Sequence, residues 1–531
     1  MKPAEGESRP EGRTAEVRRS ALVTALLMGS TATSRVLGYV KIALIGALFG
    51  ASGAADVWNA VFTVPNNLRK LLAEGALSSA FIPTLSASLL EDPSGALARQ
   101  LTRRILGLQL VILLPLTAAA GLFAAPLTRV LMPFSDPAKA ALAASLFRWV
   151  FSYLLLISIA AVLMAALNAH SLFLLPSLAP ILFSVCVIAA TVLFYRQLGV
   201  FSMAVGVLTG GLTQVVCQLP AFLRRGYDLR PDFRFRFPQF LRILKAWLPV
   251  LASASVFALT EQVAVLLASG LADGSISALS YALVFFQLPF GIFSVSIVTV
   301  LFPRMSRQAA AGDLPGLRFS VSYGLEFLLV LLVPATLLFL FMGREIIAVA
   351  LQRRAFVLRG TIWTAGVLSA YSYGLFGLGA FTFLQRFFYA RHDFRTPLFA
   401  ALVVSAVDVL LSLWLRRTAL QVRGLAVANS VAFTIGFLIL LAAARRVLGR
   451  MEGRAILRTC WRLAISLVPF TAFLLGFRFV TRAVWQAGSS WGSLALLLGG
   501  AGASAAILLG MYWITGVEVL RDVIRRRSEK K

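Results

Sequence analysis

Long apolar segments recur along the whole chain and constrain its fold more than any other feature. Many are 18 residues or longer, such as RILGLQLVILLPLTAAAGLFAAPL at 104–127. Apolar runs of this length are typical of helices that cross a bilayer. Because they occur from one end of the chain to the other, they leave no room for a separate soluble domain. The sequence therefore predicts an all-α polytopic membrane protein with about 14 transmembrane helices.

The composition indicates surroundings of lipid and not of nucleic acid. Of the 531 residues, 59% are hydrophobic and 14% are charged, whereas soluble proteins carry about 25% charged residues. The net charge of +28 would suggest a nucleic-acid partner in a soluble protein. In a membrane protein, basic residues between spans hold the topology instead. We therefore predict contact with the lipid bilayer and no nucleic-acid partner.

Residues that carry metal binding or catalysis are few and scattered. The three cysteines (186, 217 and 460) lie within or beside apolar runs without a CxxC motif, and both histidines (170 and 392) lie in predicted loops. Acidic motifs such as DxD, which a membrane enzyme acting on lipid-linked sugars would need, are also absent. We expect no metal site, no cofactor and no enzymatic activity.

The basic segment RRGYDLRPDFRFRFPQFLRILK at 224–245 follows the sixth predicted span and divides the chain into two halves. Transporters often consist of two such bundles. The predicted organisation is a cytoplasmic N-terminal tail (1–20), a six-helix lobe (21–223), a cytoplasmic linker (224–239), a second six-helix lobe (240–444), two extra C-terminal helices (445–516) and a basic cytoplasmic tail (517–531).

The distribution of Lys and Arg predicts that both termini are cytoplasmic. With this orientation the strongly basic segments 224–245, 303–318 and 444–458 lie inside, and the predicted outer loops 50–54 and 271–275 contain no Lys or Arg. Two groups of arginines in predicted outer loops are exceptions to the rule. They are Arg353, Arg354 and Arg359, and Arg416, Arg417 and Arg423.

The second predicted span contains a polar stripe. Its members follow alternating steps of three and four residues, which place them on one helical face. They are Asp56, Asn59, Thr63, Asn66 and Lys70. Glu74 lies near the same face, and Arg69 lies about 100° away from it.

The first predicted span adds the polar segment SRVLGYVK at 34–41. Ser34 and Lys41 are seven residues apart and share a helical face. Arg35 lies roughly 20 Å into the span at 1.5 Å per residue, which is too deep for its side chain to reach the surface easily. Charges at such depth mark either a transport pathway or a pair.

Two interpretations of these charges remain open. In the first, Lys70 pairs with Glu74 and Arg35 with Asp56 as structural contacts. In the second, the cations line a hydrated cavity that binds an anionic ligand, and phosphate suits the fork of donors on arginine. The second interpretation assigns substrate binding to Arg35, Lys41 and Arg69. It assigns cavity support or gating to Ser34, Asp56, Asn59, Asn66, Lys70 and Glu74.

Two further acids lie within later predicted spans, Glu261 in the seventh and Asp408 in the eleventh. Each is either a ligand of a coupling ion or a buried, hydrogen-bonded carboxyl group, and the sequence does not separate these alternatives.

The same segments resemble the MurJ/MviN family of lipid II flippases. The family pattern SRVLGxxRD, an aspartate and PNLLRRxxAEGAxxxAFxP is similar to SRVLGYVK at 34–41, Asp56 and PNNLRKLLAEGALSSAFIP at 65–83. Segments 281–307, 351–361 and 385–397 resemble later parts of the family. The resemblance runs in order across most of the chain.

This resemblance implies the fold of the multidrug/oligosaccharidyl-lipid/polysaccharide exporter superfamily, with two six-helix lobes around a central cavity and two C-terminal helices. It implies flipping of the undecaprenyl-diphosphate-linked peptidoglycan precursor from the inner to the outer leaflet of the bacterial cytoplasmic membrane by alternating access. Cell-wall synthesis proteins are expected partners, and a coupling ion or the membrane potential is the expected driving force. By their positions in the motifs, Arg35 and Arg69 match family arginines, and Asp56 and Glu74 match its acids.

The chain departs from the family pattern at four positions. Lys41 and Ile42 replace an arginine and an aspartate, and Leu283 and Val284 replace the acid and the cavity arginine of YADRL in the eighth span. The loss of a phosphate ligand at Val284 leaves two alternatives open, a flippase for another lipid-linked glycan and a degenerate member that does not transport. A drug/cation antiporter is disfavoured, because its cavity would need an excess of acids.

Overall fold

The computed structural model describes residues 29–30, 33–72, 76–235, 238–449, 453–486 and 491–517, and these residues are almost entirely helical. The helices, in chain order, are α1 (33–49), α2 (Gly53–Leu72), α3 (Ala76–Glu91), α4 (Ala96–Leu122), α5 (Ala124–Leu131), α6 (Pro137–Val150), α7 (Tyr153–Ala169), α8 (Leu174–Leu198), α9 (Phe201–Arg224), α10 (Pro238–Ser269), α11 (Ser275–Pro289), α12 (Val295–Ala310), α13 (Leu314–Leu351), α14 (Leu358–Ser372), α15 (Leu375–Ala390), α16 (Arg395–Leu415), α17 (Val422–Leu448), α18 (Gly453–Gln486) and α19 (Trp491–Thr515). A π-helical turn, Phe290–Ser294, joins α11 to α12.

Ten segments of the described chain are long and apolar enough to cross a membrane, and there are eleven if α14 and α15, which meet at 45°, form one bent span. This confirms the predicted all-α polytopic membrane fold. The number 14 is not confirmed and stays a prediction. One reason for the difference is α2, whose polar side chains lower its mean hydropathy below that of an ordinary span.

The helices group into two compact units. Among the described residues, the first unit is drawn from 1–44, 61–128 and 141–254, and the second from 45–60, 129–140 and 255–531. Both α1 and α2 contribute residues to both units. The predicted lobe boundaries stay a prediction.

In the first unit, α8 and α9 pack closely through glycines. A Cβ atom at Gly206 would lie 2.8 Å from the Cα atom of Val187, and one at Gly210 would lie 2.7 Å from the ring of Phe183. Small residues at these positions let two helices approach in lipid, where packing and not the hydrophobic effect holds helices together.

The segment after α9 is docked on α4 in the same unit. Arg103 forms an ion pair with Asp228, Arg104 forms another with Asp232 at 3.2 Å, and the Asp232 amide donates to the Arg103 carbonyl at 2.9 Å. The Arg103 guanidinium holds the pKa of the Asp228 carboxyl below its usual range. The predicted linker is therefore fastened to the first unit over residues 228–232.

In the second unit, the two C-terminal helices pack along α13. The Thr459 hydroxyl of α18 donates to Glu326 at 2.9 Å, the Tyr512 hydroxyl of α19 donates to the Val330 carbonyl at 2.7 Å, and Arg478 pairs with the buried Glu345 at 3.3 Å. These polar contacts occur at two levels of α13 and fix α18 along much of its length.

Candidate functional site

The first unit brings two of the three predicted substrate-binding cations together. Lys41 of α1 and Arg69 of α2 are near enough for their charges to repel each other. The Lys41 ammonium also lies 5.5 Å from the centre of the Phe183 ring of α8, a distance at which an aromatic face attracts a cation. Lys41 is half-buried, and Arg35, six residues earlier on α1, is exposed. We call Arg35, Lys41 and Arg69 the cationic group.

Two asparagines of α2 hold the basic side chains that follow them. Asn66 Oδ1 accepts from Arg69 Nη2 at 3.0 Å, and Asn67 Oδ1 accepts from Lys70 Nζ at 3.1 Å. The i, i+3 spacing makes both contacts possible on one helix. An amide orients a cation without neutralising it. Glu74, the predicted partner of Lys70, lies outside the described residues.

Asp56 and Asn59 hold the start of α11 within the second unit. The Asp56 carboxylate is buried and accepts from the Gly274 amide at 2.7 Å, from the Ser277 amide at 2.7 Å and from the Ser277 hydroxyl at 2.6 Å. Gly274 caps α11 without a side chain and with φ +93°, so Asp56 supplies the cap from another helix. Asn59 Nδ2 lies 3.4 Å from the Ser277 hydroxyl.

This arrangement differs from the predicted use of the polar stripe. Asp56 and Asn59 fall in the second unit, whereas Thr63, Asn66 and Lys70 fall in the first. The structure gives Asp56 helix α11 as its partner where the pairing hypothesis expected Arg35. Ser34 lies in α1 of the first unit and is half-buried. The roles of these residues in cavity support or gating stay predictions.

A second polar cluster surrounds Asp408 in the second unit. The buried Asp408 carboxylate of α16 accepts from Asn429 Nδ2 of α17 at 3.0 Å and from the Ser412 hydroxyl at 3.3 Å. Glu261 of α10 and Asp408 both act electrostatically on the phenol of Tyr371. The two acids that the sequence offered as separate candidates for ion coupling therefore lie within electrostatic range of one buried tyrosine. The part of the chain that the structure describes contains no group of three or more His, Cys, Asp or Glu side chains arranged to hold a metal ion.

Two of the four positions at which the chain departs from the family pattern, Leu283 and Val284, lie in α11, and the other two lie in α1. Leu283 and Val284 are both half-buried. Because Val284 cannot bind an anion, the positive charges assigned to substrate binding all belong to the first unit.

Sequence reasoning missed several members of these clusters. Asn429 stands inside an apolar run and could have been singled out as a polar residue within a span. Ser277 and Tyr371 gave no such signal, because serine and tyrosine are common in helices that pack closely. Their roles depend on contacts between segments that are distant in sequence.

Comparison with known proteins decides the family. The family model described as lipid II flippase MurJ matches residues 45–498. The chain belongs to the MurJ family of lipid II flippases. The predicted family is therefore confirmed, and the chain is a multi-pass membrane protein of a transporter family.

Relatives of similar length support the MurJ assignment. The probable lipid II flippase MurJ of Borreliella burgdorferi is 31% identical over 506 residues, which cover 95% of this chain and 98% of the relative. The lipid II flippase MurJ of Burkholderia cenocepacia is 29% identical over 408 residues, which cover 73% of this chain and 77% of the relative.

Solved structures show the same fold. A lipid II flippase MurJ in an inward closed conformation superposes with a TM-score of 0.75 at 24% identity, over 94% of this chain and 100% of that one. An inward-facing multidrug resistance transporter of the MATE family and MOP superfamily superposes with a TM-score of 0.64 at 14% identity, over 79% of this chain and 96% of that one. The MurJ fold of this chain is thus the predicted exporter fold.

Proposed function

We propose that this protein flips lipid II, the undecaprenyl-diphosphate-linked peptidoglycan precursor, from the inner to the outer leaflet of the bacterial cytoplasmic membrane. Its family membership supports the reaction, and the proximity of Lys41 and Arg69 carries the proposal. Two cations that repel each other within a membrane protein gain most from an anionic ligand between or beside them. A diphosphate supplies such an anion.

The three cations have different parts in binding. Arg69, oriented by Asn66, presents a planar fork of donors to phosphate oxygens. Lys41 adds a point charge on the face of Phe183. Arg35, which is exposed on α1, is placed to meet the ligand first. The isoprenoid tail stays in lipid, so the protein needs to provide a polar environment only for the head of the molecule.

Asp408, Glu261 and their neighbours form the second part of the proposal. A cation or proton binds between these acids and couples to the transport cycle, with Asn429, Ser412 and Tyr371 as further oxygen donors. Carboxylate, amide and hydroxyl oxygens suit a hard cation. The membrane potential is the alternative drive, since one charge moved through 100 mV is worth about 2.3 kcal/mol.

The proposal also includes the orientation of the chain, its driving force and its partners. Both termini lie in the cytoplasm, the drive requires no bound cofactor, and cell-wall synthesis proteins take up the flipped lipid. The chain acts as a transporter and catalyses no chemical step of its own.

A rescue experiment tests the function. Cells depleted of their own lipid II flippase should grow when they produce this protein and should fail to grow with Arg35→Ala or Arg69→Ala at equal membrane levels. Arg196→Ala removes an exposed arginine of the same unit and should leave rescue intact. Growth with both cationic-group variants at the wild-type rate contradicts the proposed site.

The half-buried Val284 favours a second candidate, a flippase for a different lipid-linked glycan. The wild-type protein would then fail to rescue the depleted cells but would translocate another diphosphate-linked lipid in vesicles. A non-transporting member would do neither.

A further inference from the structure

We infer that the second unit carries a binding groove for the phosphate headgroup of an anionic membrane phospholipid, formed by Arg359, Trp363 and Arg423. The groove lies outside the residues assigned to lipid II and to the coupling ion. It also accounts for the two groups of arginines in predicted outer loops that the charge rule leaves unexplained.

Both groups of arginines lie at the same end of the second unit. The first group lies in the connection between α13 and α14 and in the first turn of α14, and the second lies in the connection between α16 and α17 and in the first turn of α17. The start of α17 contacts α14 at Gly366, because the Arg423 guanidinium lies directly on this glycine, and a side chain there would have to displace it.

A groove of about 480 Å³ opens at the start of α14. Its walls are Leu358, Arg359, Ile362 and Trp363, and the Arg359 guanidinium lies 5.8 Å from the centre of the Trp363 ring. Arg359, Trp363 and Gly366 follow helical spacing on one face of α14. Arg359 and Gly366, on which Arg423 lies, are therefore roughly 10 Å apart along the helix axis, with Trp363 between them in the helix.

The two segments that contain these arginines carry charge of one sign. Residues 350–372 and 412–426 contain six arginines and no Asp or Glu. Within the described part of the chain, no carboxylate lies at salt-bridge distance from Arg359 or Arg423. Like charges that are crowded without counter-charge favour the binding of an anion.

Exposed apolar side chains at the same end indicate which anion binds. Ile362 is 43% exposed and Val357 is 59% exposed beside Arg359, and Trp414 is 65% exposed three residues before Arg417. A free phosphate or an acidic peptide would leave this hydrocarbon surface uncovered. A phospholipid places its phosphate on arginine and its acyl chain on Ile362 and Trp363, as expected where tryptophan lies at a membrane interface.

Native mass spectrometry of the purified full-length protein tests the inference. The protein is titrated with phosphatidylglycerol or with phosphatidylcholine. We expect Arg359→Gln/Arg423→Gln to weaken the tightest phosphatidylglycerol binding by about 10- to 30-fold, at about 1 kcal/mol for each arginine near the surface. Binding of phosphatidylcholine should not change.

Two further variants localise the effect. Arg391→Gln/Arg395→Gln removes two exposed arginines from the connection between α15 and α16, where Arg391 lies over Phe387 in a similar way, and should retain wild-type affinity. Gly366→Leu keeps every charge but displaces Arg423 and should weaken binding. Equal affinity in the Arg359→Gln/Arg423→Gln variant and the wild type overturns the inference. Displacement of phosphatidylglycerol by undecaprenyl diphosphate at equal or lower concentration also overturns it, because the groove would then belong to the transported lipid.

Discussion

Lys41 of α1 and Arg69 of α2 lie close enough for their positive charges to repel each other, and a ring of α8 faces the lysine. Two charges that share a poorly solvated site destabilise each other. In the proposed binding site, a bound diphosphate would offset this repulsion.

The cap that Asp56 provides should be important for stability. Asp56→Ala removes the acceptor of two backbone amides and one hydroxyl, all of them buried. The expected cost is about 3 kcal/mol, since hydrogen bonds to a charged group are strong and the donors left behind stay unsatisfied. Thermal unfolding in detergent measures this as a lower Tm.

Asp136→Ala is the matched control for Asp56→Ala. Asp136 also caps a helix, because its carboxylate accepts from the Ala138 amide at 2.9 Å, but it is exposed. Its loss should cost about 1 kcal/mol. A Tm for Asp56→Ala as high as that for Asp136→Ala would show that the contacts to α11 contribute little.

The docked linker should loosen when Arg103 is removed. Arg103→Ala leaves Asp228 without its partner, so the amide of Asp232, which donates to the backbone of residue 103, should exchange hydrogen faster. Because the ion pair is half-exposed, its loss should lower the free energy of opening of this segment by at most about 1 kcal/mol. Hydrogen exchange of residues 227–235 measures it.

Arg224→Ala, which removes an exposed arginine at the end of α9, serves as control and should not change exchange. The pKa of Asp228 is lowered in the folded protein, so its contribution is complete above the unfolded pKa of about 3.9 and is lost as the pH falls through the lowered value. The protection from hydrogen exchange that Asp228 provides should therefore be constant between about pH 5 and 8. Unchanged exchange in Arg103→Ala would mean that other contacts hold the linker.

Asp408→Asn should remove the dependence of transport on the coupling cation. The amide keeps the shape of the site and the contacts with Asn429 and Ser412 but loses the negative charge. Transport in vesicles is measured while Na⁺ or H⁺ is varied on one side. Glu326→Gln changes another buried acid, which Thr459 binds at 2.9 Å, and should keep the dependence. The same ion dependence in Asp408→Asn and the wild type argues for the membrane potential as the drive.

Local sequence patterns predicted the membrane fold and singled out the residues of the cationic group, whose role stays a prediction, because both depend on patterns within one or two helices. The polar face of α2 was visible for this reason. The sequence did not show that this polar face is divided between the two units, since the contact of Asp56 with Ser277 joins residues 221 positions apart. Similarly, Asp408 stood out as an acid within a span, whereas Tyr371 became part of its surroundings only through the packing of α14. The number of spans stays open where polar residues make a helix such as α2 resemble a soluble one.

The most direct test of the cationic group is the rate of lipid II translocation by purified protein in vesicles, compared between Lys41→Gln, Lys41→Arg and the wild type. Lys41→Gln keeps a polar side chain, shorter by one atom, but loses its charge, and loss of one charge-assisted contact predicts a rate about 10- to 100-fold lower at limiting substrate. Lys41→Arg retains the charge over Phe183 and should translocate at close to the wild-type rate. Translocation by Lys41→Gln at the wild-type rate would contradict the account, because the diphosphate would then be held elsewhere.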